Sequence, residues 1–362
     1  MNTKYKRIVV KVGSNVLTRP DGTLDVTRMS AIVDQVAALR SMGVEVILVS
    51  SGAVASGRSE MRGMSQRKLD TVGQRQLYSA VGQAKLINRY YELFREHGIT
   101  VGQVLTMREC FSTRSLYLNQ RHCMTVLLEN GVLPIVNEND TVSVTELMFT
   151  DNDELSGLVA TMMDAQALVI LSNVDGVYNG VPGNEGVEVI RYVEHGKDLA
   201  DYIQATKSSF GRGGMITKCG VARKVAGEGI AVYIANGKRD NILVSLAVAP
   251  ADVVCTCFVP NKTVTSGIKS WLAHSAGFAQ GTIVLNDDAV KVVCGDKAAS
   301  VLPVGVINYT GNFERGDLVE VADTAGKVLG VGRVAYDSNE INDVIGKPHC
   351  APVIHYNYLY LE

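Results

Sequence analysis

Two lysines occupy places where an unpaired charge is expensive. Lys11 interrupts the apolar run Val9-Val10-Lys11-Val12, which ends in Gly13-Ser14-Asn15. Burying an ammonium without a partner is costly, so this lysine is expected to face an anion. The bland alternative is an edge-strand lysine whose head snorkels to water. Lys218 closes Phe210-Gly211-Arg212-Gly213-Gly214-Met215-Ile216-Thr217-Lys218, a Gly-rich loop that runs straight into a helical pattern. Free backbone N–H groups and the helix dipole make such a junction an anion site, and a lysine in the first turn reaches a phosphate held there. The loop lacks the G-x-x-x-x-G-K-[ST] spacing and is no dinucleotide fingerprint. Its bland reading is a surface loop with a solvated lysine.

A third signal is a polar cluster in two parts. Asn137-Glu138-Asn139-Asp140 follows an apolar run, and Asp151-Asn152-Asp153 begins eleven residues after Asp140. Asp151 alone reads as a helix N-cap. The two groups together exceed what capping needs, and they suit a polar substrate with Mg²⁺, or the orienting of two lysines. Ser50-Ser51-Gly52 adds hydroxyl and N–H donors. The six histidines are scattered, with no H-E-x-x-H. Lysines, a glycine cradle and acids without a histidine base point to one chemistry. If the acceptor is a carboxylate, it is already ionised at pH 7 (reference pKa about 4.3) and needs no general base. The work is then to align two anions and neutralise a phosphoryl group in transit with lysine, Mg²⁺ and backbone donors.

The elements that must position these residues alternate. Ile8–Val12, Val44–Ser50, Val101–Thr106, Val132–Asn137, Ala167–Leu171 and Ile230–Ala235 read as buried strands. Helical spacing marks Asp25–Met42, 71–97, 114–130 and Ile216–Glu228, and Asp151-Asn152-Asp153-Glu154 opens another helix with capping-box spacing. This order predicts an α/β fold, a parallel sheet sandwiched between helices. Ligands of such sheets bind outside the carboxyl ends of the strands, and the polar clusters, including Ser172–Asp175, follow strands. The stretch 236–274 reads as a helix plus connection. From 275 the pattern shifts to short alternating segments (GTIVLN, AVKVVC, DLVEVAD, VLGVGRVAY, APVIHYNY), separated by turn signals such as Asn286-Asp287-Asp288. This predicts a small all-β barrel module. The expected domains are 1–260 and 275–362.

Composition removes several classes. Hydrophobic residues make up 46% and charged residues 20% of 362, values of ordinary globular protein. The apolar run at the N-terminus is too short for a signal-peptide core, and no run suits a membrane helix. Seven cysteines, an odd number without framework spacing, read as reduced thiols in a cytoplasmic protein. Cys255-x-Cys257 has no second pair or neighbouring histidine, so no side-chain set with zinc-ligand spacing stands out. The formal charge of −2 conceals an asymmetry: 275–362 holds six basic and eleven acidic residues, leaving 29 against 26 in 1–274. Phosphate contacts require positive charge, so nucleic acid is not the expected partner.

Five motifs in combination resemble the glutamate 5-kinases of the amino acid kinase superfamily: VVKVGSNVL at 9–17, VSSGAVASG at 49–57, VNENDTV at 136–142, DNDELS at 151–156 and GRGGMITK at 211–218. SVLPVGV at 300–306 and GNFERGD at 311–317 resemble PUA-domain elements. The resemblance covers nearly the whole chain and implies the fold of that superfamily with a C-terminal PUA domain. It also implies transfer of phosphate from ATP, with Mg²⁺, to L-glutamate, giving L-glutamyl 5-phosphate at the start of proline synthesis. Carried over residue by residue, Lys11, Lys218 and Asp153 are catalytic, with Asp153 organising the lysines. Lys11, Gly13, Ser172, Asn173, Arg212, Gly213, Gly214, Met215, Ile216, Thr217 and Lys218 hold ATP, while Ser51, Asn137, Asp140 and Asn152 bind glutamate. The family pattern further implies proline as feedback inhibitor, a homo-oligomer and a glutamyl phosphate reductase downstream. Two positions depart from it. Asn173 stands where Asp is usual, and Arg212 where a small hydroxyl residue is common. The rival readings are another kinase of the superfamily, acting on acetylglutamate, aspartate, carbamate or UMP, and an RNA-binding protein working through its PUA-like part.

Overall fold

The computed structural model describes residues 3–63, 69–111, 114–142, 151–194, 214–261, 279–295, 299–348 and 350–361. Residues 1–108 with 121–264 form one compact unit, and 109–120 with 265–362 form another.

In the larger unit the strands are β1 (Arg7–Val12), β2 (Glu45–Ser50), β3 (Val101–Thr106), β4 (Leu133–Glu138), β5 (Ala167–Ser172), β6 (Tyr192–Val193), β7 (Ala231–Asn236) and β8 (Thr256–Phe258). They form one sheet in the order β3-β4-β2-β1-β5-β7-β8-β6. From β3 to β7 every neighbour is parallel; β8 runs antiparallel to β7, and the edge strand β6 is parallel to β8. The helices are α1 (Ser14–Leu17), α2 (Val26–Ser41), α3 (Ala53–Glu60), α4 (Thr71–Arg95), α5 (Arg114–Glu129, of which 121–129 belong to this unit), α6 (Asn152–Met162), α7 (Met215–Gly227) and α8 (Ile242–Val248). Asp25 caps α2 by accepting from the Arg28 N–H, and Asp70 caps α4 by accepting from the Gly73 N–H.

Strand periodicity decides which residue meets which layer. Ile8, Val10 and Val12 join Val46, Leu48, Val169 and Leu171 in a core shared with α2, α4 and α8. Val9 and Lys11 therefore point to the opposite face, toward α6. β1 is a central strand, flanked by β2 and β5, so Lys11 is not the edge-strand lysine of the bland reading.

Two close helix crossings set the site. α3 lies against α4 where a Cβ on Gly82 would fall on the Ala53 carbonyl oxygen. α6 lies against α7 where a Cβ on Gly157 would come within 2.9 Å of Val221 and 3.0 Å of Val225. The first crossing fixes α4 beside the turn after β2. The second brings the first turns of α6 and α7 together.

The smaller unit contains a five-stranded sheet in the order β10-β9-β11-β12-β13, from β9 (Gly281–Leu285), β10 (Val306–Gly311), β11 (Leu318–Ala322), β12 (Val328–Arg333) and β13 (Leu359–Leu361). Its core gathers Ile283, Leu285, Phe313, Val319, Val321, Ile341, Val353 and Ile354. It is not purely β. AVKVVC, expected as a strand, lies in helix α9 (Asp287–Val293), and α10 (Ser338–Val344) follows later. The supposed turn Asn286-Asp287-Asp288 is the start of α9: the Asn286 side chain accepts from the Ala289 N–H at 2.8 Å, and both aspartates sit at the positive end of the helix dipole. In the APVIHYNY segment only Ile354 touches a strand partner, through a bridge to Val301, and the ladder resumes at Leu359. A second correction concerns 236–274, where strand β8 follows α8. Cys255 and Cys257 are buried there, and burial pushes the Cys255 thiol up to about 11.

Candidate active site

The carboxyl ends of β4, β2, β1 and β5 lie side by side. The chain leaves β1 toward β2 on one side, while β5 enters on the other. The sheet order reverses at this point, which is where open α/β sheets place their ligands. The Gly13 N–H donates to the Leu171 carbonyl at 3.3 Å, tying the ends of β1 and β5 together.

At this reversal the two lysines share one carboxylate. Lys11 Nζ lies 2.5 Å from Asp153 Oδ1, and Lys218 Nζ lies 2.9 Å from Asp153 Oδ2. Asp153 is fully buried, and the side chains of Lys11 and Lys218 are 6% and 12% exposed. Burial works to raise the Asp153 carboxyl, but the two ammoniums outweigh it and hold it below the usual carboxylate range. The result is a buried bridge of two cations and one anion, with one positive charge in excess. It spans three elements that only the fold brings together.

Beside it opens a cleft of about 570 Å³ whose lining includes Ser51, Arg75, Tyr78, Asn137, Asp140 and Asn152. Asn152 Nδ2 donates to Ser51 Oγ at 2.8 Å and to Asn137 Oδ1 at 3.0 Å, and Asn137 Nδ2 donates to Gln83 Oε1 at 2.8 Å. Asp140 pairs with Arg75, whose Nη2 also donates to Glu138 Oε2 at 2.9 Å. Asp151 is the N-cap of α6, its Oδ1 accepting from the N–H groups of Asp153 and Glu154. Burial, and then the Asp153 charge, push the Asp151 carboxyl up to about 6. Asp151 Oδ2 and Asn152 Oδ1 are buried in the cleft wall without a hydrogen-bond partner.

The structure thus gathers Lys11, Lys218 and Asp153 in one bridge, and Ser51, Asn137, Asp140 and Asn152 in the adjoining cleft. Ser172 ends β5 and Asn173 follows it, with Ser172 Oγ 3.4 Å from Asn173 Oδ1. Gly214 is the N-cap of α7 and has no side chain to occupy the N–H groups of Met215, Ile216 and Thr217. Arg212 and Gly213 lie outside the described residues.

Sequence reasoning missed Arg75, Gln83 and Arg239. Arg75 and Gln83 belong to the polar face of a long amphipathic helix, where such residues are usually solvated. Arg239 grips Asp175 with two nitrogens, at 2.7 and 2.8 Å, and Asn236 Nδ2 joins at 3.0 Å. The Arg239 guanidinium holds the Asp175 carboxyl below its ordinary value. The strand-end placement of Asp175 was a usable signal, whereas its arginine follows the next strand and gave none.

The chain is similar to known proteins along its whole length. The amino acid kinase family model matches residues 6–236, and the PUA domain model matches 281–356. A glutamate 5-kinase of Bacteroides thetaiotaomicron is 65% identical over the full length of both chains. A glutamate 5-kinase of Chlorobaculum tepidum is 45% identical, covering 99% of this chain and 98% of its own. One from Thermobifida fusca is 41% identical over 94% of this chain and 87% of its own. With its catalytic-domain fold, its paired lysines and relatives of this identity along its whole length, the chain belongs to the amino acid kinase family and, within it, to the glutamate 5-kinases.

Proposed function

We propose that the chain transfers the γ-phosphoryl group of ATP to the γ-carboxylate of L-glutamate, yielding L-glutamyl 5-phosphate and ADP for proline synthesis. The observation that carries this reading is the Lys11–Asp153–Lys218 bridge at the carboxyl end of the sheet. A glutamate carboxylate oxygen forms the new bond to phosphorus as the bond to the ADP oxygen breaks. No proton moves, so the lack of a histidine base is no obstacle. The two ammoniums meet the negative charge carried by the phosphoryl oxygens in transit. Met215, Ile216 and Thr217, behind Gly214, offer backbone N–H groups to the nucleotide phosphates, with Gly13, Ser172, Asn173, Arg212 and Gly213 completing that subsite. Ser51, Asn137, Asp140 and Asn152 take glutamate.

Mg²⁺ belongs to the same proposal. Among the described residues no three His, Cys, Asp or Glu side chains converge as a metal site, and Asp153 is engaged by two lysines. This fits an ion that arrives on the nucleotide phosphates, the usual habit of Mg²⁺. In this reading 1–260 is the kinase domain, 275–362 the PUA domain, and the enzyme works in the cytoplasm as a homo-oligomer. Proline restrains it, and a reductase consumes its product. No helix among the described residues is long and apolar enough to cross a membrane.

The test is ADP release with a panel of acceptors, repeated with proline added. L-Glutamate is expected to be turned over best. Equal or better turnover of N-acetyl-L-glutamate or L-aspartate would sink the assignment. Asp140→Ala is expected to raise the KM for glutamate with little change in kcat. A charge-assisted hydrogen bond is worth about 1.5–3 kcal/mol, so the rise is on the order of tenfold to a hundredfold. Initial rates at varied glutamate decide it, and an unchanged KM would remove Asp140 from the substrate set.

A further inference from the structure

The cleft contains an arginine outside the proposed substrate set. Arg75 lies in the first turns of α4, and its Nη2 serves two carboxylates, Glu138 Oε2 at 2.9 Å and Asp140 Oδ1. Both carboxylates are buried, Glu138 at 4% and Asp140 at 7% exposure. The three groups carry a formal charge of −1. Nη1 of the same guanidinium is shielded from solvent and has no hydrogen-bond partner. Two buried carboxylates at one site repel. A guanidinium is always charged and planar, so Arg75 offsets that repulsion and fixes the directions of both. Neither carboxylate belongs to the Lys11–Asp153–Lys218 bridge. The lysine bridge beside the cleft therefore suits the reacting carboxylate and phosphate, and the Arg75 triad gives the cleft an anionic wall that suits a positive group.

We propose that Arg75 is a positioning residue for the acceptor: it pins Asp140 and Glu138 side by side, and this pair receives the α-ammonium of a free amino acid. The proposal rests on the glutamate-kinase reading above. Through it, Arg75 sets the preference for an unblocked amino group. An acceptor whose amino group is acylated or missing gives the pair no positive charge to hold. Lysine at this position would keep the charge but, as a point charge on a flexible stem, would direct the two carboxylates less well.

The test uses the full chain. Initial rates are measured for wild type, Arg75→Gln and Arg75→Lys at varied glutamate and varied ATP. Glutarate, which is glutamate without its amino group, competes with glutamate on the wild type. Arg75→Gln is expected to raise the glutamate KM roughly tenfold or more, with kcat changed by no more than about threefold and the ATP KM unchanged. Arg75→Lys is expected to recover most of the loss. Glutarate is expected to compete at least about tenfold more weakly than glutamate binds. An unchanged glutamate KM in Arg75→Gln, a joint decline of kcat and both KM values, or glutarate competing as well as glutamate would each overturn the proposal. If Arg75→Gln does not fold, the glutarate comparison decides on the wild type alone. Failure of the wild type to release ADP with glutamate would sink the underlying reading. Normal release with an unaltered Arg75→Gln profile would sink only the role of Arg75.

Discussion

Replacing Lys218 by alanine is expected to lower kcat by about 10²–10³-fold, the range seen when one aimed transition-state donor is lost, while the protein stays folded. The same loss is expected for Lys11→Ala. Each prediction follows from the shared carboxylate. Asp153 holds both ammoniums within 2.9 Å, so removing one leaves Asp153 still paired with the other and no charge abandoned in the interior. The phosphoryl group in transit, however, loses one of the two cations that meet its charge. An interaction made only in the transition state affects kcat and kcat/KM equally, so the glutamate KM should move little. Steady-state rates together with a thermal melt check this. A kcat close to wild type in either variant would refute the role assigned to that lysine.

The fold was legible where periodicity and burial agreed. A β-branched run with helices before and after it has few alternatives to a buried parallel strand; β2 and β5 followed that pattern, and β1 did so with a helix after it only. Lys11 stood out for the same reason, since a charge inside such a run has to be compensated. AVKVVC misled because Ala289-Val290-Lys291-Val292-Val293 carries the side chains of a strand. Asn286 and two aspartates at the helix start supply a cap and a favourable dipole interaction, and these local terms outweighed β propensity in a seven-residue helix. β8 escaped because three residues give no period.

The candidate site divides in the same way. Strand-end polar residues could be read from the chain because an α/β sheet exposes strand ends to ligands. Their partners could not. The link from Asp153 to Lys218 depends on α6 crossing α7 closely at Gly157. The link from Arg75 to Glu138 and Asp140 depends on where α4 lies against α3. Arg75 sits among Gln74, Gln76 and other polar residues of α4, and nothing local distinguishes it from a solvated face. The charge split between the two halves of the chain has a smaller counterpart inside the kinase unit, where the lysine bridge carries an excess positive charge and the Arg75 triad an excess negative one. Glutamate bears charges of both signs, and the proposed binding mode sets each against its opposite.

Asp153→Asn is expected to have a larger effect than loss of either lysine, because it damages stability as well as rate. Two ammoniums would remain against an amide that cannot neutralise them, one of them on a side chain only 6% exposed. Breaking a buried ion pair by removing one partner typically costs about 3–5 kcal/mol, a large share of the roughly 5–15 kcal/mol that holds a domain folded. The pH dependence identifies the cause. In the wild type the Asp153 carboxyl is held below its unfolded value, so its contribution is present above the unfolded pKa of about 3.9 and is lost as pH falls through the folded one. The gap between wild type and variant should therefore narrow in acid. Denaturant midpoints measured across pH, with kcat at pH 7, test this. An Asp153→Asn protein as stable as wild type at pH 7, or a stability gap that ignores pH, would show that the lysines do not depend on this carboxylate.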